Sequence, residues 1–263
     1  MALKQHIDSK LRFDQQVDNS KAYVLPFIEK TKTIGNGISV LEVGTAEGGV
    51  LLPFIERGCF CVGVDLAIGR IDLANEYLKN EVAAGKAEFL CQNIYEEPFL
   101  NRFRNFFDVI ILKDVIEHVP EQEQFIPYLK NLLKSGGQIF FGFPPWYMPF
   151  GGHQQLCTKK WLSVLPWYHI LPRPVYKGIL KMGGEQPQII IDLLEIYDTR
   201  ITIERFERIV KKSGLKVLQH QDYLINPIYK YKFGLQPRKQ FAPLTWVPYF
   251  RDFVTTCVYY TVG

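Results

Sequence analysis

The chain has no uninterrupted apolar run of about 18 residues, so no membrane-spanning helix is expected. The N-terminus, MALKQHIDSKLRFDQQ, has no apolar core of signal-peptide length, which makes a cytoplasmic protein the default. A disulfide framework is also missing. The cysteines are Cys59, Cys61, Cys91, Cys157 and Cys257, an odd number without framework spacing. Cys59 and Cys61 form C-x-C inside an expected strand, with both side chains on one face. No second cysteine pair completes a zinc site, so they read as small core residues. Charge of one sign is scarce too: 31 basic and 27 acidic residues leave a net +4. No basic stripe with interleaved aromatics occurs, so no nucleic-acid partner is expected.

What is present is ordinary globular material. With 263 residues, 47% hydrophobic and 22% charged, the chain has enough apolar surface for a sizeable core. That suits a single domain spanning the chain, with irregular insertions. Apolar strand patterns fall at 38–43, 59–64, 87–91, 107–112 and 138–143. Helical patterns stand between them, at 48–56, 70–84 and 121–134. Near-continuous apolar strands alternating with helices imply a doubly wound α/β sheet, mostly parallel, with helices on both faces. Pro26, Pro53 and Pro127 each sit in an expected helix, so those helices start later or kink. A helix capped by Thr202 and closed at Gly214 follows, then a sixth strand at 215–224. A seventh, at 252–262, arrives without a helical crossover and is expected to be antiparallel. Two aromatic and Pro-rich inserts, about 144–200 and 226–251, interrupt this order and would cap a substrate.

In such a sheet, ligands bind beyond the carboxyl ends of the strands. Those ends collect Glu42 to Gly48, Asp65, Gln92-Asn93-Ile94, Lys113-Asp114 and the segment reaching His153. Asp65 lies 21 residues after Gly44, where an acid suits two vicinal ribose hydroxyls; the bland reading is turn capping. A dinucleotide and S-adenosylmethionine would both use it. The first loop separates them. Gly44-Thr45-Ala46-Glu47-Gly48-Gly49 misses G-x-G-x-x-G, because Ala46 replaces the second glycine. Glu42 and Glu47 put acids where a pyrophosphate would sit, and they tolerate a cation instead. A nicotinamide-dependent oxidoreductase is disfavoured on these grounds.

With these residues in place, the chain resembles class I S-adenosylmethionine-dependent methyltransferases of the ubiquinone- and menaquinone-pathway branch. The resemblance covers roughly 38–143 and 202–225. It rests on VLEVGTAEGG, VGVD, FLCQNIYEEPF, FDVIILKDVIEHVP and LLKSGGQIFFGFPP, in that order. It implies a Rossmann-like seven-stranded sheet and S-adenosylmethionine as the cofactor. By position, Glu42, Gly44, Thr45, Ala46 and Gly48 would line the methionine end. Asp65 and Leu66 would hold the ribose, and Asn93 and Ile94 the adenine. Lys113 and Asp114 would lie beside the sulfonium. Asn93 stands where the family has aspartate, and Ala46 where it has glycine; both departures remain compatible with binding.

Some related enzymes hold a divalent metal with an acid-x-x-Glu-His cluster and a later histidine. Asp114, Glu117, His118 and His153 would be the candidates here. The expectation taken is that no metal is bound and that Glu117-His118 opens a connecting helix. Without metal, His153 or His118 is the candidate general base. The resemblance implies methyl transfer to a small-molecule or lipid-like acceptor, at oxygen. The rival is a non-catalytic protein that keeps only the nucleoside pocket. Trp146, Tyr147, Trp161, Trp167, Tyr168, Tyr229 and Tyr231 could wall the acceptor pocket or simply form the core of the inserts. Lys230, Lys232, Arg238 and Lys239 suit a phosphate, a carboxylate or peripheral contact with a membrane, against the commoner reading of a solvated face.

Overall fold

A computed structural model describes residues 8–263. Residues 1–7, the first part of the stretch read above for a signal peptide, lie outside the described residues. The described residues form eight strands: β1 (Ser39–Val43), β2 (Phe60–Asp65), β3 (Ala87–Cys91), β4 (Phe107–Lys113), β5 (Leu133–Phe143), β6 (Val217–Ile225), β7 (Arg238–Lys239) and β8 (Cys257–Val262). They make one sheet in the order β3-β2-β1-β4-β5-β8-β6-β7. The pairs from β3 through β5 are all parallel. β8 inserts antiparallel between β5 and β6. The seven-stranded expectation therefore holds, with one addition: a two-residue edge strand, β7, antiparallel to β6.

The two faces of the sheet bury separate apolar clusters, as a doubly wound sheet requires. One gathers Leu41, Ile110, Phe141 and Tyr260 under the helices Gln122–Tyr128 and Ile203–Lys212. The other gathers Val40, Ile111, Phe140 and Tyr259 with Phe13, Phe27 and Phe54. Cys59 and Cys61 are free and buried on this second face, as small core residues. A third cluster, including Trp146, Tyr168, Tyr176 and Leu193, lies within the insert after β5. Its helices are Lys160–Val164, Arg173–Met182 and Pro187–Thr199.

Several boundaries differ from the sequence pattern, each for a local reason. The helix over the glycine loop begins only at Leu52, because Pro53 fits a first turn but not an interior. Pro26 lies within a helical run from Ser9 to Ile28, just after the π-helical turn Ser20–Val24 that loosens the backbone ahead of it. The expected helix at 70–84 breaks at Leu78, whose φ of −113 leaves the helical region. Ser135-Gly136-Gly137 does not stop a helix. It lies within β5, which starts at Leu133 opposite Phe107. The strand expected at 252–262 opens as a helix, Phe250–Val254, because Asp252 accepts from the Ile203 N–H and Arg251 pairs with Glu204 and Glu207. The helix at Thr202 is as expected: the Thr202 hydroxyl accepts from Arg205 N, and Gly214 takes φ +71.

Candidate active site

Beyond the carboxyl ends of β1 to β4 lies a cavity of about 410 Å³. Gly44, Asp65, Leu66, Asn93 and Ile94 line it, together with Val115, His118 and Phe125. The chain turns sharply off β1 because the N–H groups of Gly44 and Thr45 both donate to Val64 O. Gly44 has φ +69, and a Cβ there would stand 2.6 Å from a Val115 methyl, so glycine is required twice over. Ala46 adopts φ +48 despite its Cβ; its N–H donates to Asp65 Oδ2 at 3.0 Å. Asp65 Oδ1 accepts from Ala67 N at 2.9 Å. Asp65 thus caps the turn and still faces the cavity with spare lone pairs. Asn93 Oδ1 accepts from Tyr95 N, which leaves its amide N–H₂ for a ligand.

Glu42, Thr45, Ala46 and Glu47 are buried beneath this cavity rather than lining it. Glu42 Oε2 accepts from the Thr45 hydroxyl at 2.8 Å. Burial pushes the Glu42 carboxyl up to about 8, against the opposing pull of Thr45 and Lys113. Glu47 revises the charge argument made from sequence. Arg12, from the helix Ser9–Asn19, grips both its oxygens, with Nε 2.8 Å from Oε2. Glu47 is thus a paired acid that anchors the N-terminal helix across the loop. Of the two acids read as tolerating a cation, Glu42 remains. Gly49 accommodates the same helix: a Cβ there would meet Phe13 O at 2.6 Å.

A second cavity, about 140 Å³, lies on the other side of the segment after β4. Asp114, His153, Met148, Tyr229 and Lys232 line it. It shares Phe150, Gln155, Tyr229 and Phe233 with an outer chamber of about 310 Å³ that includes Ser163, Val164 and Leu235. Residues 114–118 form the partition. Val115 and His118 face the first cavity and Asp114 the second. Asp114 has φ +56, its N–H donates to Gly142 O, and its carboxylate accepts from Lys113 Nζ at 2.5 Å. Burial alone would raise the Asp114 carboxyl, but Lys113, Lys232 and His153 bring it below the usual carboxylate range. Burial lowers Lys232.

At this partition, Glu117, His118 and His153 converge, with their candidate ligand atoms all within 4.8 Å of one another. The short turn Ile116–His118 is pinned by Gln122 Nε2 to Ile116 O, and by the Thr199 hydroxyl to Glu117 O. Glu117 is buried, and among the described residues neither of its carboxylate oxygens has a hydrogen-bond partner. His153 Nδ1 is likewise without one, and its Nε2 lies 3.8 Å from Glu117 Oε1. Burial pushes Glu117 well above the carboxylate range and takes His153 down to about 3, with His118 adding to the latter. A buried acid with no donor is costly unless it is protonated or meets a cation. Asp114 stands outside the trio, turned to Lys113. His169 is not part of it either: it bonds Trp146 O and Gln154 and packs against Gly152, bracing the turn that carries His153.

Among the aromatics read as a pocket wall, only Tyr229 lines the second cavity and the outer chamber. Trp146 and Tyr168 are buried in the insert's own core, Tyr147 stacks on Phe253, and Trp161 and Trp167 are exposed. Tyr231 donates to Asp18 O on the N-terminal helix. Arg12, Val115, Met148 and Asn226 were not singled out by sequence. Val115, Met148 and Asn226 carried a positional signal, since they follow the carboxyl ends of β4, β5 and β6; Arg12 carried none.

Residues 41–141 match the family model described as methyltransferase domain. The fold agrees over nearly the whole chain. An S-adenosylmethionine-dependent methyltransferase from Aquifex aeolicus superimposes with a TM-score of 0.54 at 13% identity, covering 97% of this chain and 96% of that one. Geranyl diphosphate C-methyltransferase from Streptomyces coelicolor, solved with Mg2+, geranyl diphosphate and S-adenosyl-L-homocysteine, superimposes at 0.56 with 14% identity, covering 90% and 78%. Residues 41–141 are thus a methyltransferase domain by sequence, and the fold of the chain is that of S-adenosylmethionine-dependent methyltransferases. Its sequence kinship is with ubiquinone biosynthesis O-methyltransferases: that of Coxiella burnetii is 30% identical over 117 residues, 44% of this chain and 47% of that protein. The match thus spans about half the length of that relative. No helix among the described residues is long and apolar enough to cross a membrane.

Proposed function

We propose that the chain transfers the methyl group of S-adenosylmethionine to an oxygen of a small, apolar or lipid-like acceptor. The observation that carries this reading is the pair of cavities separated only by residues 114–118. Methyl transfer is an in-line displacement. The acceptor oxygen bonds to the methyl carbon as the carbon–sulfur bond breaks, leaving S-adenosylhomocysteine, and the hydroxyl proton departs. Alignment supplies most of the acceleration, and a donor and acceptor facing each other across a thin partition suit it. The first cavity fits the donor. Asp65 would hold the ribose hydroxyls beside Leu66, and Asn93 and Ile94 the adenine edge. Gly44, Thr45, Ala46 and Gly48 would shape the methionine end, over Glu42, which would face the cationic groups. Lys113 would hold Asp114 at the acceptor side. The apolar Met148, Phe150 and Phe233 support an apolar acceptor.

Glu117, His118 and His153 fit a divalent cation better than they fit a base. A histidine taken down to about 3 is a poor proton acceptor but a good neutral ligand, and Glu117 otherwise lacks a partner. Such a cation, held by these three side chains near Asp114, would polarise an acceptor hydroxyl. Calorimetry with S-adenosylmethionine, S-adenosylhomocysteine and NAD tests the donor reading. Binding of the first two is expected; binding of NAD alone would overturn it. Labelled methyl transfer into a cell extract separates the enzyme from a protein that only binds the nucleoside. Elemental analysis of the purified protein should find a divalent metal that Glu117→Gln loses. No metal, with turnover indifferent to chelator, would return the trio to a purely structural role.

A further inference from the structure

The second cavity holds a cation without a counterion. Lys232 lines it, on the short helix Tyr229–Phe233. Among the described residues Lys232 makes no hydrogen bond and no salt bridge. Asp114 is the one acid that lines the cavity, and Lys113 Nζ already stands 2.5 Å from its carboxylate. Glu117, at the partition, is raised well above the carboxylate range and adds no negative charge while protonated. Arg12, whose charge also reaches Lys232, is paired with Glu47. Two lysines thus face one acid. A divalent cation on Glu117, His118 and His153 would leave the excess of positive charge larger still. A charge confined in a small cavity without a partner is destabilising, and an incoming anion relieves it.

The backbone that carries this lysine is fixed from two sides. Asn226, which follows β6, sets the turn into the helix: its Oδ1 accepts from Ile228 N at 3.2 Å, and its main-chain O accepts from Tyr229 N at 2.9 Å. Tyr231, one residue before Lys232, ties the helix to Ser9–Asn19. Its O accepts from Gln15 Nε2 and its hydroxyl donates to Asp18 O, both at 3.1 Å. Asn226 is 4% exposed and lines the same cavity. With Oδ1 occupied by Ile228 N, its amide N–H₂ makes no hydrogen bond among the described residues and is left for a ligand. A cation and an amide donor preset on one turn suit an oxyanion. The rest of the wall, including Met148, Phe150, Leu156 and Phe233, is apolar. At about 140 Å³ the cavity is small, so an anion held by Lys232 lies near the groups at the partition.

We propose that Lys232 and the Asn226 amide hold an oxyanion of the acceptor, so that the acceptor is an apolar molecule with a carboxylate or phosphate close to the oxygen that is methylated. The proposal rests on the reading of the second cavity as the acceptor site and narrows the acceptor's class. Calorimetry of the full chain, with and without S-adenosylhomocysteine, tests it with benzoate, phenyl phosphate and neutral benzamide as probes. One of the two anions should bind about tenfold or more tightly than benzamide, and the tighter one identifies the oxyanion. Lys232→Met should abolish this preference, and Lys232→Arg should keep it. Asn226→Asp retains an acceptor for Ile228 N but turns the donor into a negative oxygen, so it should weaken anion binding about tenfold. The preference should survive chelator. Equal binding of all three probes, or binding of none, overturns the proposal. So does a preference that Lys232→Met leaves intact, whether the lysine then serves only as a counterion to Asp114, seen as a lower melting temperature of that variant, or a metal holds the anion, seen as loss of the preference in chelator. S-adenosylhomocysteine binding without an anion preference sinks only this proposal. An anion preference without S-adenosylhomocysteine binding sinks the donor reading alone.

Discussion

Glu42 carries the most chemistry of any single residue in the loop. Its burial means that a lysine there would threaten the fold, so Glu42→Gln is the sharper probe. With its carboxyl held near 8, Glu42 is mostly protonated at neutral pH in the free protein. A bound ammonium and sulfonium favour the carboxylate, so binding should expel the proton. S-adenosylmethionine affinity should therefore rise with pH up to about 8 and level off above it. Calorimetry in buffers of different ionisation enthalpy should record proton release at pH 7. Glu42→Gln should abolish that release and weaken binding about tenfold or more, by loss of a charged hydrogen-bond acceptor. Affinity flat across this range would remove Glu42 from the donor site. Sequence alone marked Glu42 and Asp65 as the key acids, because strand ends and spacing are local properties. It misjudged Glu47, because Arg12 is 35 residues away in the chain and no pattern links the two.

At the scale of elements, the N-terminal helix Ser9–Asn19 acts as a strap over the glycine loop. Arg12 holds Glu47, Ser9 bonds Tyr77, and Gln15 reaches Tyr231 O in the second insert. Glu47 is fully buried, so Arg12→Ala leaves a carboxylate without its partner. A loss of about 3 kcal/mol is expected in denaturant unfolding. Arg12→Ala combined with Glu47→Gln should recover much of it, and a double variant no better than the single would argue against the pairing. The strands were legible from their apolar runs, as was the Thr202 cap from its hydroxyl. The edge strand β7 was not: two charged residues, Arg238 and Lys239, have no strand pattern and pair only because β6 presents its edge. Nor was the helix Phe250–Val254, whose ion pairs to Glu204 and Glu207 outweigh its β-type composition.

Across the whole molecule, buried acids set the direction of pH dependence near neutrality, with Glu117 raised alongside two others. Glu42 and Asp252 are each raised to about 8, by burial first, with Glu204 adding to the effect on Asp252. Their unfolded values are near 4, which leaves them extra protons in the folded state from about 4 to 8; buried His153 and His169, lowered to about 3 and about 4, bind fewer protons folded than unfolded below about 6.5, so the excess prevails only between about 6.5 and 8. Stability should therefore fall as pH rises through that window. Asp108, Glu123 and Glu185 are shifted below their ordinary values by their partners, so their contribution is lost only as pH falls into the acid range. Melting temperature without ligand should peak mildly acid and decline toward pH 9. Asp252→Asn should flatten the decline. A melting temperature that climbs steadily from pH 5 to 8 would contradict this account.

The parallel core, the antiparallel last strand and the cluster of acids and glycines at the strand ends follow from the sequence by itself. Hydrophobic period and glycine placement act over a few residues, and they leave little choice of sheet. The meeting of Glu117 with His153, the Arg12 clamp and the two cavities on either side of residues 114–118 were decided only by tertiary structure. Each joins residues far apart in the chain. Whether a buried charge is paired, protonated or waiting for a ligand depends on which side chains packing brings within a few ångströms.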